Sequence, residues 1–253
     1  MSAAQAALLV LAIAAAQPAL AQSESQDPMV EAGRINARLA VEYLKRGQLE
    51  VAQQKIEKAL AQHPKDVNVQ LSAGLVYERL HDTRKAEKHF RQALRADQSS
   101  PDAQNALGAF LCRNDEESKG VEMFVAAANN PIYRTPVVAY TNAGVCARSA
   151  GNLEDAERYL RQALTYHVDY PETYAQLASV LHQRGNDLHA RAFVERFLAV
   201  APATPEMLLL GHDIEVALKD EGAAAAFKAR LEKEFPNSEQ ARAVGSAPDR
   251  NPG

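Results

Sequence analysis

One spacing governs this sequence. The stretch "LAVEYLKRGQLEVAQQKIEKALAQHP" (Leu39–Pro64) returns as "AGLVYERLHDTRKAEKHFRQALRADQ" (Ala73–Gln98), so that Tyr43 and Tyr77, Ala52 and Ala86, Ile56 and Phe90, and Ala59 and Ala93 each stand 34 residues apart. A third unit keeps Leu107, Gly108, Gly120, Phe124 and Ala127 in the same frame. A fourth keeps Gly144, Gly151, Ala156, Leu160 and Ala163, and a fifth Leu177, Ala178, Leu181, Gly185, Ala190 and Pro202. A worn sixth ends at "LEKEFP" (Leu231–Pro236). A chain held to such a period builds a row of like units, each burying its apolar face only against its neighbours. The frames are 33–66, 67–100, 101–134, 137–170, 171–204 and 205–238, with two extra residues in "NNPIYRTP" (Asn129–Pro136) between the third and fourth.

The filling of the period points to helices. Ala, Leu, Glu, Gln and Arg dominate, and few stretches alternate with period two, so the chain reads as all-α. A small residue at the eighth and twentieth positions of each unit lets two antiparallel helices approach closely. A glycine near the fifteenth (Gly47, Gly151, Gly185) relaxes the turn between them. An aromatic or aliphatic residue at the twenty-fourth fills the gap between helices, and a proline at the thirty-second (Pro64, Pro202, Pro236) breaks the chain before the next unit. Over 33–238 this resembles the tetratricopeptide repeat (TPR). The resemblance implies a right-handed solenoid of about six helix-turn-helix units, whose first helices line a concave groove through positions 2, 5, 9 and 12. In the first unit these are Arg34, Ala37, Val41 and Leu44, and in the second Asn68, Leu71, Leu75 and Glu78. The third adds Asp102, Asn105 and Ala109, and the fourth Val138, Thr141, Val145 and Arg148. The early groove is then apolar along its floor with polar rims. Such a strip either receives a partner or is covered by the chain's own N-terminal segment or a neighbouring helix.

The two ends differ from the repeat. "AALLVLAIAAA" (Ala6–Ala16) is a short apolar run, and Ala19-Leu20-Ala21 supplies small side chains for signal-peptidase cleavage after Ala21. Read so, residues 1–21 are an export signal and 22–32 a flexible segment. The other reading is a buried N-terminal helix, which Pro18 and the polar stretch after it would end abruptly. After Ser238, residues 239–253 start helical and run into Gly, Pro and Asp, a composition expected to leave the end of the tail disordered.

Chemistry finds little to work with. The net charge of −4 comes from well-mixed charges and gives no nucleic-acid footprint. His63, His81, His89, His167, His182, His189 and His212 are scattered with no pair four apart, and no nucleophile elbow or phosphate-binding glycine loop occurs. No enzyme, cofactor, metal or small-molecule substrate is expected.

The chain has two cysteines, Cys112 in "GAFLCRN" and Cys146 in "NAGVCARSAG". The extra junction residues put them at position 12 of one first helix and position 10 of the next, where neighbouring helices run side by side. They can bridge there, or serve as two buried free thiols. These residues carry a narrower resemblance. "NALGAFLC", "NNPIY" and "YTNAGVCARSAG" are similar to the type IV pilus biogenesis/stability protein family (PilF/PilW), and the layout of export signal, about six units and short tail is similar along the mature chain. That resemblance implies a pilotin-like, periplasmic and outer-membrane-associated adaptor, which helps the pilus secretin localise and assemble or stabilises the fibre. It implies binding of the secretin or another pilus-assembly protein, and a disulfide between Cys112 and Cys146. Family members are generally lipoproteins. The cleavage region here has no cysteine to accept a lipid, so no lipid anchor is evident, and the protein is expected either free in the periplasm or held at the outer membrane only through its partner. The alternative function is a general periplasmic TPR scaffold for envelope or cell-wall enzymes.

Overall fold

A computed structural model describes residues 27–245. The expected export signal, with its expected cleavage site after Ala21, and the end of the tail, expected to be disordered, lie outside the described residues. Twelve helices form six antiparallel hairpins: α1 (Pro28–Lys45) with α2 (Leu49–Gln62), α3 (Val67–Arg79) with α4 (Thr83–Ala96), α5 (Pro101–Arg113) with α6 (Glu117–Ala128), α7 (Pro136–Ser149) with α8 (Leu153–Leu164), α9 (Pro171–Gln183) with α10 (Asp187–Val200), and α11 (Pro205–Ala217) with α12 (Glu221–Glu234). A short α13 (Glu239–Gly245) closes the row, and no strand occurs among the described residues. The fold is an all-α TPR solenoid.

Local chemistry sets where the helices start. Pro28, Pro101, Pro136, Pro171 and Pro205 open five of the first helices, where a fixed φ helps and no N–H is needed. Asp66, Asp82, Ser100, Asn152, Thr204 and Asp220 each accept a hydrogen bond from the backbone N–H three residues on, satisfying a donor that the helix leaves free. One expectation is corrected. α1 begins at Pro28, capped by Asp27, so 28–32 are helical and not part of a flexible segment.

Every hairpin turns through a left-handed residue at the fifteenth position. Gly47, Gly151 and Gly185 have φ of 72°, 78° and 71°, and His81, Asp115 and Lys219 take the same conformation at 58°, 61° and 61°. Inside the hairpins, small residues admit large ones. A Cβ on Gly74 would stand 2.5 Å from the ring of Phe90, which is fully buried. In the sixth unit the contact slides by one position. Gly211 takes the ring of Phe227, while His212 at the eighth position bonds the Ala224 carbonyl through Nδ1 at 3.1 Å. That slide is why the sixth copy looks worn in the sequence.

The third-to-fourth junction is irregular in a defined way. α7 packs more closely on α6 than any other first helix does on the second helix before it. Asn129 Oδ1 accepts from the Tyr140 hydroxyl at 2.7 Å, and Asn130 Nδ2 donates to the Ser99 carbonyl at 2.7 Å. These bonds hold the longer connection against both neighbours.

Candidate partner-binding groove

The first helices α1 and α3 lie side by side at the start of the concave face. Between them is a cavity of about 530 Å³ lined by Arg34, Ala37, Arg38, Val41, Glu42, Asn68, Leu71, Ser72 and Leu75. Ala37 is buried and forms the floor, Val41 and Leu71 are half-buried, and Leu75 is 39 % exposed. An apolar side chain kept in water at the mouth of a cavity gains by receiving another apolar surface.

The rim charges are held in place. Arg34 Nε donates to Asp66 Oδ2 at 2.9 Å, Arg38 donates to Glu31 at 3.2 Å, and Lys45 donates to Glu42 at 2.8 Å. Burial works to raise the pKa of Asp66, but the Arg34 hydrogen bond and the Val69 backbone N–H outweigh it and hold the carboxyl below its ordinary value. Asp66 thus stays ionised, capping α3 while fixing the guanidinium at the cavity edge.

Six of the residues expected in the groove meet at this cavity: Arg34, Ala37, Val41, Asn68, Leu71 and Leu75. Leu44, Glu78 and Asn105 do not line it, and each has a different task. Leu44 packs on the core cluster around Ile56 and Tyr77. Glu78 takes both bonds of the Arg113 guanidinium at 2.9 and 3.0 Å, joining α3 to α5. Asn105 accepts from Asn142 at 3.2 Å, joining α5 to α7. The next step is tied as well: the Thr141 and Thr173 hydroxyls lie 2.6 Å apart, and Arg148 donates to Ser179 at 2.8 Å. Polar links thus join successive first helices from α3 to α9. Arg38, Glu42 and Ser72 line the cavity without having been expected there. Their signal is the four-residue step that places Arg38 and Ser72 one turn beyond Arg34 and Asn68 on the same helix face.

Among the described residues no group of three or more His, Cys, Asp or Glu could hold a metal, and no helix is long and apolar enough to cross a membrane.

Comparison with known proteins agrees with the geometry. The tetratricopeptide repeat family matches over residues 37–101 and 71–118, and again over 137–166. The crystal structure of PilW, described as a widely conserved type IV pilus biogenesis factor, is 31 % identical, with a TM-score of 0.78 over 85 % of this chain and 98 % of that one. The chain belongs to the PilW/PilF family of type IV pilus TPR proteins. The type IV pilus assembly protein PilF of Pseudomonas aeruginosa is 23 % identical over 238 residues, 92 % of this chain and 94 % of that protein. A P. aeruginosa PilF structure, 21 % identical, shares the fold at a TM-score of 0.74, over 86 % of this chain and 98 % of that one.

In this PilW/PilF-family protein Cys112 and Cys146 are bonded, with Cα atoms 5.8 Å apart, a separation that a disulfide spans comfortably. The bond ties the end of α5 to the second half of α7, and Cys146 is fully buried beside Phe124 and Ala143. It fastens the third repeat to the fourth where the period is broken.

Proposed function

We propose that this PilW/PilF-family protein is a non-enzymatic periplasmic adaptor for type IV pilus biogenesis, and that the α1–α3 cavity takes a segment of the outer-membrane secretin or another pilus-assembly protein. The observation that carries the reading is Leu75, exposed at the mouth of an apolar cavity whose polar rim is already ordered by Asp66, Glu31 and Lys45. A rim ordered in advance loses little freedom when a ligand docks. The apolar export-like run at Ala6–Ala16 and the disulfide support maturation outside the cytoplasm, where such bonds persist.

The test is co-purification with the secretin from envelope extracts. Leu75→Arg, on an exposed position, should keep the helical circular dichroism of the wild type. It should lose most of the captured secretin, since truncating or charging a central interface residue costs about 2 kcal/mol or more. Secretin recovered at wild-type levels by Leu75→Arg sinks the groove. Wild-type protein that ignores the secretin and retains other envelope proteins makes it a general scaffold.

A further inference from the structure

The repeats serve as controls for one another along their second helices. At positions 18, 19 and 22 of the unit, the other five repeats carry at most one Lys or Arg. The first has Glu50, Val51 and Gln54 there, and the fifth Leu188, His189 and Ala192. The second repeat has three cations, Arg84, Lys85 and Lys88, in a chain whose net charge is −4. Arg84 and Lys85 stand in the first turn of α4, which holds no acidic residue, against the positive end of their own helix dipole. Nothing in the period asks for this, and breaks of a local rule gather at functional sites.

The three cations line a cavity of about 440 Å³ together with Tyr77 and His89, and it shares no residue with the α1–α3 cavity. His89 is only 8 % exposed. It stacks on Tyr77 with ring centroids 5.3 Å apart, and Lys85 Nζ lies 4.8 Å from the Tyr77 centroid. At position 23 His89 stands where the later repeats have Met123, Tyr159, Phe193 and Phe227, so packing alone does not call for an imidazole. The ring is held in one orientation. Gln70 Nε2 donates to the Pro64 carbonyl, which turns Oε1 toward His89 Nδ1 at 2.7 Å. An amide oxygen only accepts, so Nδ1 carries the hydrogen. Nε2 has no partner among the described residues and is not sealed in the interior; it opens on the cavity that the ring lines.

The charges around the cavity set the ligand. Lys85 is matched by Asp82 at 3.2 Å, and Glu87 is turned to Arg91 at 2.7 Å. Glu57 of α2 acts on Tyr77 and does not line the cavity. Arg84 and Lys88 have no carboxylate partner among the described residues, and two such charges match a dianion. Burial, Lys88 and Lys85 hold the His89 pKa below its ordinary value, against a smaller opposing pull from Asp82, so Nε2 is an acceptor. A carboxylate or a sulfate would set its lone pairs against that acceptor. A phosphate monoester does not. Its second pKa of about 6 lies close to the about 6.5 of imidazole, so one proton serves both, held by the phosphate or by the ring. We propose that this cavity in the second repeat is a binding site for a phosphate monoester, with Arg84 and Lys88 neutralising its charge and His89 Nε2 sharing its proton. Lysine meets phosphate as a point charge, and the cavity leaves room beside the phosphate for the group it is esterified to.

Nuclear magnetic resonance titration of the full chain with phenyl phosphate, inorganic phosphate and sulfate near neutral pH tests the proposal. Phenyl phosphate should shift the amides of residues 84–89 and the His89 ring saturably, and inorganic phosphate should move the same signals. Sulfate should bind at least about tenfold more weakly. Arg84→Gln and Lys88→Gln, both on exposed positions, should each weaken phenyl phosphate binding about tenfold with circular dichroism unchanged. Leu75→Arg should bind it as the wild type does, which separates this site from the groove. Flotation with phosphatidylcholine vesicles, with and without phosphatidic acid, reads the source of the ester. Co-flotation that needs phosphatidic acid and is lost in Lys88→Gln makes it a lipid headgroup; phenyl phosphate binding without co-flotation makes it a soluble molecule. The absence of any saturable shift overturns the proposal. Equal affinities for phosphate and sulfate, or wild-type binding by either glutamine variant, overturn it as well.

Discussion

Lys219 holds a backbone conformation that suits it poorly. With φ at 61° it sits in the left-handed region, which costs an L-residue with a Cβ roughly 1–2 kcal/mol. Lys219→Gly removes that cost at the price of about 0.5–1 kcal/mol of chain entropy, and should stabilise the protein by about 0.5–1 kcal/mol. Gly47 gives the converse. Its φ is 72°, and an added Cβ would meet nothing within 4 Å, so Gly47→Ala should destabilise by about 1 kcal/mol through backbone conformation alone. Urea midpoints of the two variants, read against the wild type, should move in opposite directions. The same positions show how far a sequence can be read at this scale. Glycine at the fifteenth position signals the turn in three units. His81, Asp115 and Lys219 make the same turn in the others; His and Asp enter the left-handed region more readily than most side chains, a weaker signal than glycine, and Lys219 gives none.

Between elements, periodicity carries the reading until a partner from outside the period intervenes. The helix hairpins follow from the spacing of Ala52, Ile56, Ala59 and their counterparts. Six groove residues follow from the TPR resemblance, which assigns positions 2, 5, 9 and 12 of each unit to the concave face. Leu44, Glu78 and Asn105 escape it because their places depend on Ile56, Arg113 and Asn142, and a repeat pattern does not encode which side chain from the next unit reaches across. The Cys112–Cys146 bond works at this scale too, joining α5 to α7 across a sequence separation of 34 residues. By the loop-closure argument it adds about 3–4 kcal/mol. The double variant Cys112→Ala/Cys146→Ala should lower the urea midpoint correspondingly, and dithiothreitol should lower that of the wild type while leaving the double variant unmoved. Equal midpoints for oxidised wild type and double variant would show that packing of α7 on α6 holds the junction unaided.

At the scale of the whole molecule, a stack in which each repeat touches only its neighbours has no single core to lose. Its stability is a sum of units and interfaces, so the ends open before the middle. Here three features grade that opening. The disulfide and the close packing of α7 on α6 fasten the third and fourth repeats. α13 covers the last hairpin through Ala241 and Val244. α1, by contrast, leaves Ile35 and Leu39 in water. Native-state hydrogen exchange on dilute protein should therefore find the slowest amides in α5 to α8. Protection should fall outward in both directions, and more steeply toward α1 and α2 than toward α11 and α12. Reduction of the disulfide should flatten the maximum. Uniform exchange from Pro28 to Gly245 would mean that the six hairpins open as one unit, and that the interfaces between repeats are stronger than the repeats themselves.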